Sequence, residues 1–238
     1  MQLVPRPIDY SDVALFYFVI GDLQTAEKLC KESINLQPNW KWGLGLLAQI
    51  YYVTGRISEC IITLKELIDL YPQYFDYHIK IAKLHAEGNN LTEAKKYLKN
   101  GLSLMPDYEH SEDLRVGYTY LKIGQRDKAI EILNNKKNLI IKNLGENPNY
   151  KRSMHYELAA IESILDNKEE TIKHLRKFQE LTNFNNVYGQ FIFLDPYFDH
   201  LRNNQIFIDI LSDIRNQQSI AKAKVGDLEE EHDEFFEN

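Results

Sequence analysis

The chain has 238 residues, of which 44% are hydrophobic and 26% charged, with seven prolines and eleven glycines, a balance that fits a folded chain of one or two domains. The formal net charge of −7 argues against a generic phosphate-binding role and leaves room only for a local basic surface, because nonspecific nucleic-acid affinity comes from clustered Lys and Arg. No apolar run approaches the roughly 18 residues that span a bilayer, and VALFYFVI, residues 13–20, lacks the basic flank and small-residue cleavage site of a signal peptide.

In chain order, helices are predicted over 8–20, 24–36, 41–53, 58–70, 75–87, 91–104, 109–122, 127–143, 152–164 and 168–181. Within the odd-numbered ones, the small residues Ala14, Ala48, Ala82, Gly117 and Ala159 recur at intervals of 34, 34, 35 and 42. Twelve positions after each come Ala26, Cys60, Ala94, Ala129 and Thr171. Their surroundings repeat as Tyr10-x2-Val13-Ala14-x2-Tyr17, Leu44-x2-Leu47-Ala48-x2-Tyr51, His78-x2-Ile81-Ala82-x2-His85 and Asp113-x2-Val116-Gly117-x2-Tyr120. Between the helices of each pair stand Gly21, Gly55, Asn89, Gly124 and Asp166, the residue types that tolerate a left-handed backbone. Pro38, Pro72 and Pro106 close the first three units, where proline stops a helix.

This pattern resembles the tetratricopeptide repeat, an antiparallel helix pair with a 34-residue signature. The resemblance implies an all-α fold, a right-handed α-solenoid of about five helix hairpins, with units at about 7–40, 41–74, 75–109, 110–151 and 152–182. The fifth unit departs from the signature: Glu162 stands for the aromatic, Thr171 for the alanine and Asn183 for the proline. Residues 135–149 stretch the interval before it, which predicts a lengthened second helix in unit four and a Gly-Glu-Asn-Pro turn. Residues 183–225 are expected to form a closing segment and a capping helix over 204–222, whose Ile206, Phe207, Ile210, Leu211 and Ile214 cover the open end of unit five. FLDPYFDHLRNNQIFIDIL is similar to the closing segment after the last repeat of bacterial tetratricopeptide modules in larger regulatory or envelope proteins. Residues 226–238 are expected to be an acidic mobile tail.

The first helix is apolar on every face and so needs a cover, either Leu3, Val4 and Ile8 folded over it, something upstream, or another copy of the chain. Cys30 and Cys60 lie in apolar helical contexts without a CxxC and read as buried thiols. A cytoplasmic compartment is expected from them, or a periplasmic one if the chain is a module of a larger protein.

The resemblance also implies that the first helix of each pair lines a concave groove, with Phe18, Trp42, Gln49, Tyr52, Lys80, Lys83, Arg115, Tyr118 and Lys122 facing it. Cations beside aromatics suit an extended peptide that carries a carboxylate and an apolar anchor. The same cations also fit ordinary pairing with Glu87, Glu112 or Asp113. None of these groove helices carries the Lys-x3-Asn pair of the chaperone-tail clamp. No HExxH, GxSxG, phosphate loop or dinucleotide fingerprint occurs, and His78 and His85 hold core repeat positions.

The expected function is therefore a noncatalytic interaction scaffold or adaptor, without cofactor or metal. Its partner is a protein or peptide, an acidic one by charge, with no nucleic acid and no membrane insertion. The alternative is a structural or oligomerisation module of a larger regulatory or envelope protein that uses the apolar first helix as its interface; self-association through that helix or the acidic tail is a further expectation.

Overall fold

A computed structural model describes residues 6–104, 113–144, 151–181 and 188–236. Among them are ten helices arranged as five antiparallel pairs: α1 (Pro7–Val19) with α2 (Leu23–Leu36), α3 (Lys41–Val53) with α4 (Ile57–Leu70), α5 (Phe75–Glu87) with α6 (Leu91–Ser103), α7 (Leu114–Lys122) with α8 (Arg126–Asn143), and α9 (Lys151–Ile164) with α10 (Lys168–Glu180). A short α11 (Tyr188–Phe191), a 3-10 turn (Pro196–Leu201) and a long α12 (Gln205–Phe236) follow. No strand occurs among the described residues. Pro106, Glu112, the turn at 145–148, Asn183, Leu3 and Val4 lie outside them.

One backbone device joins every pair. Gly21, Gly55, Asn89, Gly124 and Asp166 adopt φ of 83, 74, 57, 85 and 66°, in the left-handed region that glycine enters freely and Asn or Asp tolerates. The residue after each donates its N–H back to the first helix: Asp22 to Tyr17 O, Arg56 to Tyr51 O, Asn90 to His85 O, Gln125 to Tyr120 O and Asn167 to Glu162 O, all at 2.8–2.9 Å. These bonds satisfy carbonyls that a helix end otherwise strands. The side chains of Asp22 and Asn90 then cap the second helices by accepting from Thr25 N and Glu93 N.

Close approach within pairs rests on the small residues. Ala14, Ala26, Ala82, Ala94, Ala129 and Ala159 are fully buried. At Gly117 an added Cβ would lie 2.8 Å from the Leu133 side chain, so an alanine there would force Leu133 to move. Unit five keeps the geometry with different chemistry. Thr171 is fully buried, but its hydroxyl donates to Asn167 O at 2.9 Å, and buried Glu162 accepts from Lys137 at 2.8 Å and Asn167 at 2.6 Å. Lys137 comes from α8, whose 18 residues exceed the 13 or 14 of the other second helices. α8 thus supplies the cation that lets a carboxylate replace an aromatic.

The C-terminal segment does more than cap unit five. Phe207, Ile210 and Ile214 are buried against that unit as expected, whereas Ile206 remains 40% exposed. α12 continues past the expected end at 222, and the stretch expected to be a mobile tail is helical to Phe236. At 1.5 Å per residue the helix is about 48 Å long. It is tied to α10 where Gln179 donates to Asp213 at 2.7 Å, and to the α1–α2 turn where Lys222 meets Asp22 at 3.2 Å. At the other end of the array, α1 buries Ala14 and Phe18 but leaves Ile8, Val13, Leu15 and Phe16 exposed by 39–46%. Cys30 and Cys60 are buried, and burial pushes both thiols up to about 12.

Candidate binding cleft on the concave face

The first helices of the pairs share one face, and residues 188–202 lie across it as a strap that touches all five. Phe191 packs on Phe18 of α1 and Tyr52 of α3, with ring centroids 6.2 and 6.0 Å apart. Gln190 donates to Val19 O at 3.3 Å. Tyr197 meets Tyr118 of α7 edge-on at 5.0 Å, and Phe198 packs on Tyr156 of α9 at 5.8 Å. Arg202 holds the strap in shape by donating to Ile192 O and Asp195 O at 3.1 and 2.8 Å.

At its centre Asp195, 4% exposed, faces Lys83 of α5. The Lys83 ammonium donates to Asp195 Oδ1 at 2.7 Å, to Glu87 Oε1 at 2.9 Å and to the Tyr52 hydroxyl at 2.9 Å. Tyr52 and Tyr156 both donate to Asp195. Burial works against the Lys83 charge, but Asp195 foremost, then Tyr197, Tyr52 and Glu87, hold its pKa well above the usual lysine value. Burial, with Asp195 adding to it, raises the Tyr156 phenol, which therefore stays a donor. This is a buried charge with nearly every hydrogen-bonding position used, the condition under which such a charge is tolerated.

The strap leaves part of the groove open. Toward the start of α3, α5 and α7 there remains a cleft of about 390 Å³. Arg115 anchors its wall, donating to Asp76 at 2.7 Å and to Asp113 at 2.6 Å, while Lys80 pairs with the other oxygen of Asp76 at 2.9 Å. Burial opposes the Arg115 charge, and Asp113 and then Asp76 raise it well above its ordinary value. Asp76 is held low because Arg115 and Lys80 overcome its burial. On the far side Lys136 of α8 meets Glu157 of α9 at 3.0 Å.

The nine residues expected in the groove separate into three groups. Gln49, Tyr52, Lys80, Lys83 and Arg115 line the cleft, the last three already paired with carboxylates of the chain. Phe18 and Tyr118 are buried beneath the strap. Trp42 and Lys122 are exposed, Trp42 by 72% and one helical turn before Gly45 of the cleft wall. Asp195, Asp76, Lys136 and Tyr188 were absent from the expected set and also line the cleft. Only Asp195 announced itself in the sequence, as a lone acid within the apolar run FIFLDPYF.

Stacked helix hairpins with left-handed inter-helix turns and small residues at the crossing define a helical-repeat α-solenoid of the tetratricopeptide type. Solved structures share that fold. The APC/C hetero-tetramer Cut9–Hcn1 matches with TM-score 0.56 and 15% identity over 88% of this chain, which spans 39% of that chain. TTC0263, a thermophilic TPR protein of Thermus thermophilus, matches with TM-score 0.54 and 16% identity over 87% of this chain and 98% of that one. No protein-family model matches the sequence, and no curated protein matches it. Among the described residues, no helix is long and apolar enough to cross a membrane, and no group of three or more His, Cys, Asp or Glu is placed to hold a metal ion.

Proposed function

We propose that the chain is a noncatalytic protein-interaction scaffold whose partner engages the uncovered part of the concave face, with Trp42 as the anchor. The observation that carries this reading is Trp42, 72% exposed on the helix that also supplies Gly45 and Gln49 to the cleft. Exposed tryptophan beside a desolvated polar pocket is the residue type that dominates binding energy at interfaces. Magnitudes argue against a peptide that displaces the strap. Ile192, Phe198 and Leu201 are fully buried and at about 1.5–3 kcal/mol each contribute roughly 5–9 kcal/mol, as much as a whole micromolar ligand, at about 8 kcal/mol, brings. Affinity capture from native extract with Trp42→Ala and, as a control outside the cleft, Lys122→Ala tests the reading. A partner lost with Trp42→Ala and kept with Lys122→Ala is expected; a partner set indifferent to Trp42 would sink it.

A second reading is favoured by the exposed Ile8, Val13, Leu15 and Phe16 of α1, an apolar face at the end of a stack. Here the chain self-associates through α1. Sedimentation at rising concentration is expected to show dimers that Phe16→Glu abolishes, and a strictly monomeric wild type removes the idea.

A further inference from the structure

The geometry points to a second role for the cleft: a binding site for a small zwitterion with an apolar body, the chemistry of a free amino acid with an aliphatic or aromatic side chain. Its volume of about 390 Å³ falls within the range of small-molecule sites between helices. Charge decides the class. The walls set Lys80, Lys83, Arg115 and Lys136 against Asp76, Asp113, Glu157 and Asp195, four cations against four carboxylates. A ligand with net charge would leave a surplus in a partly desolvated site, whereas a ligand carrying both signs preserves the balance.

Unused hydrogen-bonding capacity matches those two signs. An ammonium has three donors, yet among the described residues Lys80 meets a carboxylate only at Asp76 Oδ2, 2.9 Å away, and Lys136 only at Glu157 Oε2, 3.0 Å away. Each keeps N–H groups for a ligand carboxylate. On the acceptor side, Gln49 makes a long 3.4 Å bond through its amide nitrogen to Gly45 O, and its amide oxygen has no hydrogen bond among the described residues. Among the described residues, Glu157 Oε1 receives one long bond, of 3.4 Å from Tyr188. These oxygens suit a ligand ammonium. Arg115 is engaged with two carboxylates and serves as the frame.

The apolar body has its own surface, because Ala48, Leu84, Leu114 and Phe191 line the same cavity. Gly45 keeps it open: a Cβ built there meets nothing within 4 Å. A large side chain at that position therefore fills the cleft without a clash at its root and makes a clean blocking variant.

The test is a calorimetric titration of the full chain with L-phenylalanine and L-leucine, beside N-acetyl-L-phenylalanine and L-phenylalaninamide. The free amino acids are expected to bind with Kd below about 1 mM and each blocked form roughly tenfold more weakly or worse. Gly45→Phe is expected to weaken binding by about tenfold or more with an unchanged unfolding midpoint, and Lys136→Gln to weaken it as well. An N-acetyl form that binds as tightly as the free amino acid overturns the zwitterion and assigns the cleft to a peptide C-terminus. No heat from any of the four at about 10 mM overturns the site. The titration needs no protein partner, so its outcome is independent of the capture experiment with Trp42→Ala.

Discussion

Lys83→Met is expected to lower the unfolding free energy by roughly 3–5 kcal/mol, because it strands the buried Asp195 carboxylate without its cation and removes contacts of 2.7, 2.9 and 2.9 Å at once. Denaturant midpoints at constant m check it. Adding Asp195→Asn to Lys83→Met is expected to recover part of the loss, since an asparagine oxygen still accepts from Tyr52 and Tyr156 while carrying no charge. A strictly additive double variant would show that the two side chains do not share a network. The same geometry alters the meaning of a charge reversal at Lys83 or Arg115. Both ions are bound to carboxylates of the chain, so reversal perturbs the fold before it reports on any partner.

Phe198→Ala is the second large effect. Phe198 is fully buried, with its ring between Tyr156 at 5.8 Å and Phe207 at 5.7 Å, and truncating a buried phenylalanine costs about 3–5 kcal/mol. Because it pins the strap to α9 and α12, amide exchange is expected to rise across 188–202 more than across α3 to α6. A loss below about 1.5 kcal/mol, or exchange that rises evenly along the chain, would show that the strap is peripheral to the fold.

The repeat was legible because it is local. A small residue every 34 positions, a turn residue seven positions after it and a second small residue twelve after it are all consequences of one hairpin's own sterics. The five left-handed turns therefore fall at Gly21, Gly55, Asn89, Gly124 and Asp166. The site was legible only in outline. The resemblance placed Gln49, Tyr52, Lys80, Lys83 and Arg115 on the cleft side, but Tyr52 and Lys83 meet Asp195, which lies 143 and 112 residues further along the chain. Charge counting along a helix could not show that Arg115 is held by Asp76 39 residues earlier. Helical spacing in α12 was visible, while the contact of its Lys222 with Asp22 was not, because no local pattern joins two residues so far apart in the chain.

Ordinary repeat arrays behave as springs: each unit contacts only its neighbours, so the stack can stretch, twist or fray from either end. Here α12 runs as a tie-beam from Gln179 in the last unit to Asp22 in the first, and Gln190 clasps Val19 across 171 residues of chain. Loop closure over such separations slows folding, and in return the two ends of the array are expected to melt together, as a stiff frame of set curvature would rather than an elastic coil.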